Sequence, residues 1–175
     1  LSYKTKQICP SAKAAIAKLQ EQGIACIVAT GRHMIQMSKL PVGDIPFDAF
    51  VMLNGQLVLD KEQNVLFGVP IEGKAKEFLV EKFNDHTYPA VLVERDQMYL
   101  NCVTDHVLDV NKRMSITLLP LSDYRGGDIY QICAYLRPED EYLVDPIKED
   151  CVLTGWHYGG KDIIAGGGGK MAGIR

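Results

Sequence analysis

From Pro10 onward, Ala12, Ala15, Ile16 and Leu19 recur at intervals of three and four, the spacing of one helix face. Proline is tolerated at a first helical position, and Gly23 offers a left-handed stop, so the pattern predicts a helix over 10–22. Directly afterwards Ile24-Ala25-Cys26-Ile27-Val28-Ala29-Thr30 is apolar without alternation, which suits a strand covered on both faces, as in a parallel sheet. It runs into Thr30-Gly31-Arg32. A short helical or irregular stretch (33–40) and breaks at Pro41 and Pro46 precede a second apolar strand, Ala49-Phe50-Val51-Met52-Leu53, which closes in Asn54-Gly55. Helix, buried strand and glycine turn form the rhythm of a layered α/β domain, where ligands bind at the carboxyl ends of the strands.

Residues 56–60 and 64–69 flank Lys61-Glu62-Gln63 as a hairpin with a charged turn. From about residue 71 the texture changes. Lys74 to Asn84 reads as an amphipathic helix, 90–94 and 98–102 as a second hairpin, 104–114 as a helix, 129–136 as a strand and 138–144 as a short acidic helix. Tyr88, Tyr99, Tyr130 and Tyr135 belong to the core of this region, and Glu139-Asp140-Glu141 to a solvated helix face. The apolar run Asp162-Ile163-Ile164-Ala165 is expected to return to the first layer and feeds Gly166-Gly167-Gly168-Gly169-Lys170. The division expected is therefore 1–70 with 159–175, and an inserted αβ region over 71–158. His157, beside Trp156, is expected to pack in the return between them.

Composition narrows the function. Apolar residues make up 47% and charged residues 23% of the 175, as in a globular protein rather than a disordered chain. Nineteen Lys and Arg against twenty-two Asp and Glu give −3 without a basic cluster, so no nucleic-acid partner is expected. The apolar runs fall far short of the roughly 20 residues of a membrane helix, so no membrane span is expected either. Five cysteines without a C-x-x-C pair, and no apolar leader at the start, point to the reducing cytoplasm. Four isolated histidines offer no zinc spacing. The opening Leu1-Ser2-Tyr3 and the closing Lys170 to Arg175 read as breaks inside a larger fold.

The tetraglycine invites a phosphate-loop reading, because N–H groups without side chains can crowd an anion. A Walker A loop would need Gly where Ile164 stands, and Ser or Thr where Met171 stands. A dinucleotide fingerprint through Gly167, Gly169 and Ala172 would need an acidic residue about twenty further on. A flexible linker is the bland alternative, as are a surface Arg for Arg32, a turn Asn for Asn54 and a first-turn lysine for Lys170. That last placement is electrostatically poor for stability, which favours a functional reading.

Taken in order, Val28-Ala29-Thr30-Gly31-Arg32, Leu53-Asn54-Gly55, the long insert, Trp156-His157 and Gly168-x-Lys170-x-x-Gly173-Ile174 resemble the Cof-type phosphatases of the haloacid dehalogenase superfamily. The resemblance implies an incomplete Rossmann-like core, three-layered with a parallel sheet, and an inserted αβ cap. It also implies hydrolysis of small phosphate monoesters, such as sugar phosphates or phosphorylated cofactors, through an aspartyl-phosphate with Mg²⁺. By that resemblance Thr30 gives its hydroxyl and Gly31 its N–H to the phosphoryl group, Lys170 offsets charge, and Arg32, Asn54 and Gly55 face the substrate. The family's Asp-x-Asp nucleophile motif and its acidic fourth motif, the expected Mg²⁺ ligands, are not in the 175 residues and are expected outside them. Gly169 stands where relatives usually carry Ser, Asn or Asp. The chain alone is expected to be inactive. A non-catalytic ligand-binding or assembly module that keeps the cap and loops, and a nucleotide-binding fragment, are the alternatives.

Overall fold

A computed structural model describes residues 7–40, 42 and 45–174, so Leu1-Ser2-Tyr3, the break at Pro41 and the terminal Arg175 lie outside the described residues. The chain forms two compact units, Leu1–Gly68 with Gly169–Arg175, and Val69–Gly168.

The first unit starts with α1 (Pro10–Glu21), opened by proline at the helix start as its sequence demands. Then come β1 (Ile27–Ala29), α2 (Met34–Met37), β2 (Ala49–Met52), a 3-10 turn over Leu53–Gly55, and the hairpin β3 (Leu57–Asp60) and β4 (Val65–Gly68). The sheet order is β1-β2-β3-β4, with β1 parallel to β2 and the other pairs antiparallel. α5 (Lys170–Ile174) completes the unit. Only three residues of the expected strand over 24–30 pair, and β1 is an edge strand with Ile27 half exposed, so its double burial is not realised. Asp48 fastens its entry: the carboxylate accepts the Cys26 N–H at 2.7 Å and the Gln20 amide at 3.3 Å. Those hydrogen bonds, that of Cys26 first, hold its pKa below the usual value.

The second unit contains α3 (Gly73–Asn84), the hairpin β5 (Ala90–Val93) and β6 (Met98–Leu100), α4 (Asp105–Met114), β7 (Gln131–Ala134), a 3-10 segment over Pro138–Ile147, β8 (Cys151–Gly155) and β9 (Lys161–Ala165). Its antiparallel sheet runs β6-β5-β7-β9-β8. Strand alternation sends Ala90, Leu92, Ile132, Ala134, Ile163 and Ala165 into one core with Ala75, Leu79 and Phe83 of α3. All four tyrosines, Tyr88, Tyr99, Tyr130 and Tyr135, are buried. Asn101, also buried, accepts the N–H groups of Ala90 and Cys102 and donates to the carbonyls of Phe83 and Tyr88, all between 2.8 and 3.0 Å. One side chain thus closes the backbone accounting where α3 hands over to β5.

Several sequence expectations are corrected here. β9 does not return to the first sheet: Ile163 pairs with Ile132 of β7 and Leu153 of β8, and the second unit continues to Gly168, so the first resumes at Gly169 rather than 159. β8 was not expected at all. It supplies the partner that makes β9 internal to the antiparallel sheet, and a short apolar run carries no signal of which sheet it will join. The expected boundary near 70 falls at Gly68. His157 is exposed on the turn between β8 and β9, not packed in a return between units.

Candidate functional site

Three glycine-bearing loops of the first unit are laced together by backbone. The first leaves β1 through Thr30, whose N–H donates to Val51 O at 2.8 Å, extending the parallel pairing by one residue. Thr30 Oγ1 accepts the Arg32 N–H at 3.2 Å, so its own O–H is the part left to donate. Beyond Arg32, His33 is 2% exposed and caps α2. Its Nδ1 accepts the Ile35 N–H at 3.1 Å, while its own N–H donates to Gln36 Oε1 at 3.0 Å. That reciprocal cap fixes the end of the loop, with an imidazole in a place usually taken by Ser, Thr, Asp or Asn.

The second loop is conformationally costly. Leu53 (φ 50) and Asn54 (φ 58) lie in the left-handed region, and Gly55 follows at φ 93. Asparagine tolerates that region and leucine does not do so readily. The surroundings impose it: Leu53 is buried and donates its N–H to Arg32 O at 3.4 Å, and Asn54 N–H donates to Thr30 O at 3.1 Å. Strain held in this way clusters at functional sites. The Asn54 side chain lies against the first loop, since a Cβ added to Gly31 would stand 2.8 Å from its Oδ1.

The third loop is pressed onto the second. A Cβ on Gly55 would stand 2.2 Å from Gly169 O and 2.6 Å from the Lys170 nitrogen of the main chain, so this crossing admits only glycine. α5 then packs close, because a Cβ on Gly173 would meet Val51, Gly55 O and Val58 at 3.0 to 3.1 Å. Gly169 O accepts the N–H groups of Ala172 and Gly173 at 2.9 and 3.2 Å, opening the helix at Lys170. Lys170 is exposed and has no ion-pair partner among the described residues.

The structure therefore brings Thr30, Gly31, Asn54, Gly55, Gly169 and Lys170 together at the backbone level, with Arg32 exposed at the rim. Such an arrangement offers a hydroxyl, backbone N–H groups and a cation, which suits a phosphoryl group whose charge is spread over several oxygens. Among the described residues no three His, Cys, Asp or Glu side chains are grouped to hold a metal ion, so the expected Mg²⁺ finds no ligand set here. The glycines and the lysine are legible in the sequence, whereas His33 and the buried Gln56, which follows Gly55, are not, because a polar residue inside a loop carries no pattern of its own.

The profile of the haloacid dehalogenase-like hydrolases matches residues 1–161. The Bacillus subtilis (strain 168) protein named "Putative phosphatase YkrA" is 28% identical over 174 residues, covering 97% of this chain and 66% of its own length. A hypothetical protein of Geobacillus kaustophilus HTA426 is 26% identical with a TM-score of 0.82, covering 97% of this chain and 66% of that one. BT1666 from Bacteroides thetaiotaomicron, described among phosphatases of the haloalkanoate (HAD) enzyme superfamily, has a TM-score of 0.84 at 23% identity, covering 99% of this chain and 66% of that one. The chain thus spans 66% of the length of these relatives. Matched over most of its length, and carrying the strand-tip loops in the order its sequence suggested, the chain belongs to the haloacid dehalogenase-like hydrolase family, in its Cof-type branch.

Proposed function

We propose that the chain serves the hydrolysis of small phosphate monoesters, sugar phosphates or phosphorylated cofactors, in the cytoplasm. Family membership supports a phosphatase. The observation that carries the reading is the crossing of Gly55 by the Gly169–Lys170 backbone, which joins the lysine's loop to that of Thr30 and Gly31 through Asn54. The Thr30 hydroxyl and the Gly31 N–H donate to the phosphoryl oxygens. Lys170 supplies a point charge that offsets repulsion between the phosphate and an attacking anion. Arg32 and Asn54 meet the ester's leaving group, and Val69–Gly168 acts as the cap that chooses it. In this family the attacking group would be an aspartate, forming an aspartyl-phosphate with Mg²⁺ bound nearby. The 175 residues contain no Asp-x-Asp, and their described part offers no metal cluster, so no step is assigned to either. The same observation favours binding without turnover for these residues by themselves.

Titration calorimetry with glucose 6-phosphate tests the reading. The chain binds it, Lys170→Ala weakens binding at least about tenfold without lowering the melting temperature, and no inorganic phosphate is released on incubation. Equal affinity in Lys170→Ala removes the lysine from the site. Sustained phosphate release overturns the inactivity of the chain alone.

A further inference from the structure

The second unit holds a cleft of about 410 Å³ bordered by α4, the segment after β7 and the turn between β8 and β9. The turn is rigidly built. Trp156 donates its backbone N–H to Gly160 O at 2.8 Å and its indole Nε1–H to Asp162 Oδ1 at 3.0 Å, and its ring meets Tyr135 edge to face at 5.4 Å between centroids. A Cβ on Gly160 would stand 2.3 Å from the Trp156 ring, and one on Gly159 (φ 90) 3.0 Å from that of His106, so side chains there are excluded. His106 Nε2–H donates to Gly159 O at 3.1 Å and fastens α4 to the turn.

The charges along this cleft sort themselves by pairing. Asp109 is taken by Arg113 at 2.8 Å, and Glu141 by Lys161 at 3.0 Å. Arg137 lines the same cleft and has no ion-pair partner among the described residues, although Asp105 and Asp140 border the adjoining pocket with it, so its guanidinium is the cleft's cation not engaged by a carboxylate. Opposite polarity is supplied by the wall: Leu136 and Pro138 are apolar, and Trp156 and Tyr158 present rings. Arg113 stands 6.0 Å from the Tyr158 ring centroid and so holds that ring in place. A planar guanidinium beside an aromatic wall matches a ligand that is anionic at one end and flat at the other.

We propose that this cleft binds a small aryl anion, its carboxylate or phosphate held by Arg137 and its ring laid against Trp156 and Tyr158, at a site that shares no residue with the strand-tip loops. Trp156 is the only tryptophan in the 175 residues, so intrinsic fluorescence reads this cleft directly. Benzoate and phenyl phosphate each give a saturable change in that fluorescence, and the lower of the two half-saturation concentrations tells a carboxylate site from a phosphate site, whereas acetate and inorganic phosphate give none. Arg137→Ala, and Arg137→Gln with its stem kept, weaken the change at least about tenfold. Lys170→Ala leaves it as it is, so failure of phosphate-ester binding in the first unit and failure of this site are read separately. An unaltered titration in both Arg137 variants, loss of the signal in Lys170→Ala, or no saturation with either aryl anion below about 10 mM overturns the assignment.

Discussion

The two units solve opposite problems. Val69–Gly168 buries a continuous core that runs from α3 through every strand of its sheet, and Asn101 within it is fully hydrogen-bonded, whereas the buried Tyr88 hydroxyl has no hydrogen-bond partner among the described residues. The unit holding the candidate phosphate loops is thinly covered by contrast: α1 has no buried residue, and Leu19, Ile24 and Ile27 are between 41% and 50% exposed. Its three loops cross where contact is made largely by backbone and glycine. Binding geometry and hydrophobic stability are thus built from different residues, and substitutions should separate them.

The widest separation is expected between Phe83→Ala and Leu19→Ala. Phe83 is 1% exposed inside the second unit's core, and its truncation costs about 3–5 kcal/mol. Leu19 is 41% exposed on α1, and its truncation costs about 0.5 kcal/mol or less. Chemical denaturation gives the two values, and hydrogen exchange assigns each to its unit. Similar losses would break the comparison.

A smaller contrast lies inside the first unit. In Gly55→Ala the new methyl meets the main chain of Gly169 and Lys170 at a positive φ, whereas in Gly31→Ala it meets only the movable end of Asn54. The first should abolish measurable glucose 6-phosphate binding in calorimetry and lower stability by about 1–3 kcal/mol. The second should weaken binding less than about tenfold. The reverse order would mean that the Asn54 contact, not the Gly55 crossing, organises the site.

The smallest effect is one of pH. Burial, chiefly, pushes the Tyr135 hydroxyl up to about 12 and those of Tyr88 and Tyr99 higher still. Raised values mean that the neutral, folded forms add stability that is complete below the ordinary value of 10 and is lost as pH climbs through the folded one. In the first unit Asp48 and Asp60 have lowered values, so their contribution is present above the ordinary 3.8 and fades as pH falls below it. Asp48 is exposed and Asp60 half-buried, and both are solvent-screened, so the acid effect is slight. Burial raises the Tyr130 hydroxyl too, so absorbance at 295 nm against pH should show the four buried tyrosines ionising late and together with loss of the second unit's exchange protection. Early ionisation with that protection intact would contradict it.

Much of this was legible in the chain itself. The α1 pattern, the hairpin of β3 and β4, the amphipathic α3 and the glycines at 31, 55 and 169 follow from local rules: period, proline and glycine placement, and turn chemistry. The family resemblance came from those same punctuation marks, and the family match over residues 1–161 bears out the family. What the chain did not disclose was pairing. Ile163 and Ile164 look alike whether they join a parallel or an antiparallel sheet, and only β8 and β7 on either side decided that they belong to the second unit. The left-handed backbone at Leu53, the cap made by His33, and the pairing-off of acids that leaves Arg137 alone were likewise settled in three dimensions. Each depends on residues distant in sequence meeting at fixed distances, and local propensity carries no information about such meetings.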